Sequence, residues 1–103
     1  MADVEIRNNK AENRYEALVE GVVAGFSAYQ LTDLLVVFTH TEVDDAYEGQ
    51  GVGSALARGA LDDVRKEGSR KVLPLCPFIK AWIEKHPDYA DLVYGAPRST
   101  AKD

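Results

Sequence analysis

The sequence predicts an α/β domain on a mixed sheet, with antiparallel strands first and a strand, helix, strand crossover after them. Two observations carry this reading. Up to Val43 the apolar residues alternate or fall in β-branched runs, whereas from Gly51 they recur at helical spacing. A short apolar run, KVLPL at Lys71–Leu75, follows the helical stretch, and that order implies a right-handed crossover and a parallel pair.

VEIRNN at Val4–Asn9 alternates weakly and is a candidate first strand. RYEALVEGVVAGFSAYQL reads as a hairpin whose arms, Arg14–Val19 and Val22–Leu31, meet at Glu20 and Gly21. Thr32 and Asp33 turn the chain into LLVVFTHTEV, Leu34–Val43, β-branched and apolar enough for a central strand. Three antiparallel strands thus precede the glycines. Val52, Leu56, Ala60 and Val64 then fall four apart, with Leu61 beside them, as one stripe of a helix running to about Glu67. Arg58, Asp62, Asp63, Arg65 and Lys66 take its other side, and Gly68 ends it. Pro74 argues for an edge position in the strand that follows. Pro77 suits the first turn of a second helix, where its missing N–H has no partner to lose. Phe78, Ile79, Trp82, Ile83 and His86 keep helical spacing there, and Phe78, Trp82 and Ile83 read as core. Pro87 stops this helix, DYADLV adds one more turn, and residues 95–103 form a small, polar, loose tail behind a single domain over 1–94.

Composition narrows the function. A chain of 103 residues, 46% hydrophobic, holds one compact domain and not two, which argues against catalysis between domains. A net charge of −5, with the 12 Lys and Arg spread along the chain, leaves no basic footprint for nucleic acid. No apolar stretch approaches the roughly 20 residues of a membrane span, and the first residues lack a signal peptide's apolar centre, so a cytoplasmic protein without a membrane partner is expected. Cys76 is the single cysteine and cannot close an intrachain disulfide. No metal site is assigned.

The stretch YEGQGVGSAL crowds Gly49, Gly51 and Gly53 in front of the helix. A helix start offers unpaired N–H groups and the positive end of its dipole, and glycines let an anion approach that backbone, so phosphate binding competes with a plain tight turn. Spacing excludes two familiar phosphate motifs. Five residues after Gly49 stands Ser54 with no lysine nearby, which is not a Walker loop. The third glycine of a dinucleotide fingerprint is replaced by Leu56 or Ser54, depending on the frame chosen.

A third pattern fits. Val43, AYEGQGVGSAL, an amphipathic helix and another strand resemble the signature of the GNAT superfamily, the acyl-CoA-dependent N-acetyltransferases, whose motif is Arg or Gln, two residues, Gly, one residue, Gly or Ala. Gly51 and Gly53 take the small positions, and Glu48 stands where the family has Arg or Gln. HTEV, EGQGVGSAL, PLCPF and HPDY in this order are similar to the small single-domain group of YidJ-like or N-acetyltransferase-domain-containing proteins, over roughly Tyr15 to Val93. The resemblance implies acetyl-CoA held in a wedge between the strand ending at Val43 and the strand ending near Cys76. It implies main-chain pairing of pantetheine with Glu42 and Val43, and phosphates on the turn Gly49, Gln50, Gly51, Val52, Gly53 and Ser54. Larger members place two helices between their first two strands, but only about Lys10 to Asn13 is left here. A minimal GNAT fold is therefore expected, with one sheet face covered by helices and the other open to substrate or to a second subunit of a homodimer.

The activity so implied is transfer of acetyl from acetyl-CoA to an amine of a small molecule or a protein; the alternative is a CoA-binding module with little transferase activity. Amine acetylation needs a base to receive a proton as the amine attacks the thioester. By period-two alternation Phe38, His40 and Glu42 share one strand face and Thr39, Thr41 and Val43 the other, which makes His40 and Glu42 spatial neighbours and candidates for that base. Cys76 is a candidate acyl carrier, because the crossover brings it to the same end of the sheet as the glycines, and a small packing residue is its plainer role. Arg58, Arg70, Lys71 and Lys80 are the cations in reach of a nucleotide 3′-phosphate by element order, and none is assigned to it.

Overall fold

The computed structural model describes residues 3–95. Its strands are β1 (Val4–Asn9), β2 (Arg14–Val19), β3 (Val22–Leu31), β4 (Leu35–Val43) and β5 (Lys71–Pro74), and its helices are α1 (Val52–Glu67) and α2 (Pro77–Lys85). The five strands lie side by side in chain order, antiparallel from β1 to β4, with β5 parallel to β4. The weakly alternating first segment therefore becomes a fourth antiparallel strand ahead of the glycines.

Local chemistry sets the turns. Glu20 (φ 52°) and Gly21 (φ 80°) both take the left-handed region, the two-residue geometry whose twist matches paired strands. Thr32 Oγ1 accepts from the amides of Leu34 and Leu35 at 3.2 and 2.9 Å and closes the next turn. Gly68 (φ 82°) caps α1 by donating its N–H to the Val64 carbonyl. Pro77 opens α2 at its first position, His86 ends it, and a 3₁₀ segment over Pro87–Leu92 supplies the extra turn.

One core fills one side of the sheet. Val52, Leu56, Ala57, Ala60, Leu61 and Val64 of α1 and Ile79, Trp82 and Ile83 of α2 join Tyr15, Ala17, Val19, Phe38 and Val72 in a single buried cluster. At about 25 cal/mol per Å² of apolar area removed from water, such burial is the main force holding the layers together. Gly59 lets α1 approach β1, since a Cβ there would stand 2.7 Å from Ile6 Cγ1. The Tyr15 hydroxyl donates to Asp63 Oδ2 at 2.7 Å and ties β2 to α1.

Two bulges break the alternation that the sequence suggests. In β3, Ala17 pairs with Gly25 but Leu18 with Val23, so Ala24 is the extra residue. In β4, Ala28 pairs with His40 but Tyr29 with Phe38, so Thr39 is extra. Phe38 consequently does not share a face with His40 and Glu42, as strict alternation predicts; it turns into the helix-side core, fully buried. Phe78 is a second correction, because it is 41% exposed rather than core. It lies over the start of α1, where a Cβ on Gly53 would stand 2.9 Å from its Cζ. The open second face is observed: among the described residues no helix covers the side bearing Arg14, Glu16, Phe26, His40 and Glu42. The tail assigned to 95–103 lies, from residue 96, outside the described residues.

Candidate functional site

The β4–β5 ladder is short. It runs from Leu35 with Lys71 to Phe38 with Pro74, and the Cys76 N–H then donates to the Phe38 carbonyl at 2.9 Å. Beyond that bond β4 continues to Val43 paired with β3 alone. The bulge at Thr39 lies where the ladder ends: β5 stops at Pro74 and the chain turns into α2 at Pro77, so the two segments part there and β4 has no strand partner on that edge beyond Phe38. Asp44 N–H donates to the Ala24 carbonyl at 2.8 Å, which makes Gly25 and Val43 a pair without mutual bonds. By antiparallel alternation Glu42 spends its main-chain groups on β3, while Thr41 and Val43 turn theirs toward the parting.

The chain leaves β4 through a 3₁₀ turn over Asp45–Tyr47, capped by the Asp44 carboxylate, which accepts from Ala46 N–H at 2.9 Å. Glu48 is exposed after it. Gly49 (φ 79°) and Gly51 (φ 78°) are left-handed, and a Cβ on either would meet nothing within 4 Å, so these two positions need glycine for conformation and leave open space above them. Gly53 is glycine for a different reason, the Phe78 ring.

The N–H groups at this helix start divide cleanly. Gln50 donates to the Tyr47 carbonyl at 3.3 Å and Ala55 to the Gly51 carbonyl at 3.0 Å. Between them the N–H groups of Gly51, Val52, Gly53 and Ser54 find no acceptor among the described residues, and no side chain caps them. Four adjacent donors at the positive end of a 16-residue helix are thus open to an anion; they fall within the Gly49 to Ser54 turn singled out in the sequence, without Gln50, whose N–H is already bonded. Ser54 Oγ is held by the indole Nε1 of Trp82, which donates at 3.0 Å and joins α2 to this turn.

The side chains around the parting fall on opposite faces. His40 Nε2 and Glu42 Oε2 are 2.6 Å apart on the open face, both well exposed. On the helix side the Cys76 thiol donates to Thr41 Oγ1 at 3.2 Å, and Thr41 Oγ1 lies 2.9 Å from the buried Ser27 Oγ. Cys76 is only 2% exposed. The structure thus brings His40 to Glu42 and places Cys76 with hydroxyls instead. Arg70 and Lys71 stand at the far end of the sheet, where Arg70 Nε donates to the Thr32 carbonyl and Lys71 Nζ to that of Asp91. The Arg58 guanidinium lies 5.3 Å from the Trp82 ring centre.

A further group was not singled out in the sequence. Glu16, buried on the uncovered face, accepts from Arg7 Nη2 at 2.6 Å, Arg14 Nε at 2.8 Å and Asn9 Nδ2 at 3.1 Å. The bond from Arg7, then those from Arg14 and Asn9, outweigh desolvation and hold its carboxyl at about 2. Arg14 and Glu16, two apart on a predicted strand, are the one sequence signal that this cluster leaves.

A five-stranded mixed sheet whose parallel ladder ends beside an uncapped helix start defines an α/β protein with main-chain donors open at the end of its crossover. Residues 14–92 match the family model described as GCN5-related N-acetyl-transferase, and the chain belongs to that family. Protein NATD1 of Homo sapiens is 40% identical over 53 residues, covering 52% of this chain and 46% of that protein, and NATD1 of Gallus gallus is 40% identical over the same length. The match spans about half the length of these relatives. A GCN5-like protein from Staphylococcus aureus, solved by NMR, superposes with a TM-score of 0.68 at 27% identity over 100% of both chains. A ribosomal-protein-alanine N-acetyltransferase from Brucella melitensis biovar Abortus 2308 shares the fold, with a TM-score of 0.51 at 19% identity over 87% of this chain and 67% of that one.

Proposed function

We propose that the chain is an acetyl-CoA-dependent N-acetyltransferase acting on an amine. The single observation that carries this is the run of four unpaired amides, Gly51 to Ser54, beside the parting of β4 and β5. Unpaired donors and the open space above Gly49 and Gly51 fit a diphosphate, and the free main-chain groups of Thr41 and Val43 fit an extended amide-bearing arm. When bound, acetyl-CoA supplies the acetyl group as a thioester. This chain's part is to hold the carrier by its backbone and to place a base on the acceptor side. The His40 and Glu42 pair takes that role, receiving the proton that the amine must lose. Transfer is direct, with Cys76 packed behind the site on its bond to Thr41.

Calorimetry with acetyl-CoA, followed by thioester consumption against a panel of amines, tests the reading. Binding that weakens at least tenfold in Gly51→Val, with CoA released only when an amine is present, supports it. Acetyl-CoA binding without turnover on any amine reduces the chain to a CoA-binding module, and absence of binding overturns both.

A further inference from the structure

The uncovered face of the sheet carries an ordered row that the proposed transfer does not use. Two adjacent cross-strand rungs make it: Arg7, Glu16, Phe26 and Glu42 in one, and Asn9, Arg14, Ala28 and His40 in the other. At one end, Glu16 has both oxygens occupied by Arg7, Arg14 and Asn9. Each guanidinium gives Glu16 only one nitrogen, so both Nη groups of Arg14, and Nη1 and Nε of Arg7, have no acceptor among the described residues. Arg7 is 53% exposed and Arg14 32%. Arg14 is also seated, with its guanidinium carbon 4.7 Å from the Phe26 ring centre. The Phe26 ring lies 6.1 Å from that of His40, and His40 meets Glu42 at 2.6 Å.

Charge is therefore sorted along the row. Two pre-positioned guanidiniums with spare donors stand on β1 and β2, and a carboxylate bonded to an imidazole stands on β4. The backbone of Arg14 stands two strand spacings, about 10 Å, from β4, across Phe26 and Ala28, and that of Arg7 one spacing further, its guanidinium reaching back to Glu16. Fixed guanidinium forks select carboxylate and phosphate oxygens, and a buried, fully bonded Glu16 holds them without competing for a ligand. In a chain of net charge −5 this cationic end is a local exception.

We propose that this face binds the acceptor, and that the acceptor is a small amine whose own molecule carries a carboxylate or phosphate several bonds away. The amine lies at His40 and Glu42, the spacer crosses Phe26, and the anionic group rests on Arg7 and Arg14. This rests on the transfer reading for the meaning of the amine end, but binding to the face is measurable without it.

The test is an NMR titration of the labelled full chain, without CoA, using 6-aminohexanoate and n-hexylamine as a matched pair. Expected are shifts of the Arg7 and Arg14 side-chain N–H signals with 6-aminohexanoate, at least tenfold weaker binding of hexylamine, and at least a fivefold loss of 6-aminohexanoate affinity in Arg7→Gln. The exposed Arg7 is the variant of choice because Arg14 and Asn9 still hold Glu16 when it is replaced. A 6-aminohexyl phosphate arm extends the series, and equal retention of carboxylate and phosphate fits the fork. Equal binding of the two amines, unmoved arginine signals, or an unchanged affinity in a folded Arg7→Gln overturns the proposal. Because CoA is absent, these outcomes decide the acceptor face whether or not acetyl-CoA calorimetry supports transfer.

Discussion

Replacing Glu16 with glutamine keeps its shape and removes its charge from between two guanidiniums. In the parent the carboxyl is held at about 2 rather than near its ordinary 4.5, chiefly by the bond from Arg7. A difference of that size corresponds to roughly 3 kcal/mol of folding stability at neutral pH, at about 1.4 kcal/mol per unit. Arg7 and Arg14 are 53% and 32% exposed, so water screens part of the attraction, and a net loss of about 2 kcal/mol is expected for Glu16→Gln. The sign of its pH dependence follows from the lowered value. The contribution is complete above the unfolded carboxyl's range and is lost as pH falls through the folded one, so the gap between parent and variant narrows below about pH 5 and closes near pH 2. Urea denaturation midpoints taken across that window read both effects. A gap under about 0.5 kcal/mol at neutral pH, or one that acid leaves unchanged, refutes the reasoning.

Gly59→Ala is expected to cost about 1 to 3 kcal/mol, because its Cβ would stand 2.7 Å from Cγ1 and 2.9 Å from Cβ of Ile6, and a thermal midpoint within a degree of the parent contradicts that packing. Cys76→Ala is expected to retain acetyl transfer and to lose about 1 kcal/mol from its bond to Thr41; a variant that folds, binds acetyl-CoA and no longer turns over would restore the acyl-carrier role. Alkylation of native Cys76, 2% exposed, should be slow and accelerate with urea, as followed by mass spectrometry.

Much of this architecture is written in local pattern. The hairpin at Glu20 and Gly21, the α1 stripe ending at Gly68 and the α2 start at Pro77 each depend on residues within one or two turns of the chain, and their bounds in the structure agree with the sequence reading. The same holds for the glycine turn, whose two left-handed residues no ordinary side chain occupies cheaply. Cross-strand register is not local. Nothing in FTHTE marks Thr39 as the residue without a partner, and that one bulge decides that Phe38 turns inward while His40 and Glu42 turn outward. Arg7, Arg14 and Glu16 meet only when β1 pairs with β2, and Phe78 lies over the helix start, partly exposed, only where Gly53 leaves room for its ring.

The central claim is that main-chain amides at the start of α1 grip the diphosphate of an acyl carrier, and it is tested most directly by following those amides. Titrating labelled protein with CoA should move the Gly51, Val52, Gly53 and Ser54 N–H signals together and protect them from exchange, with Gln50 and Ala55 less affected because their hydrogens are already bonded. Binding of CoA that leaves these four signals in place would contradict the account.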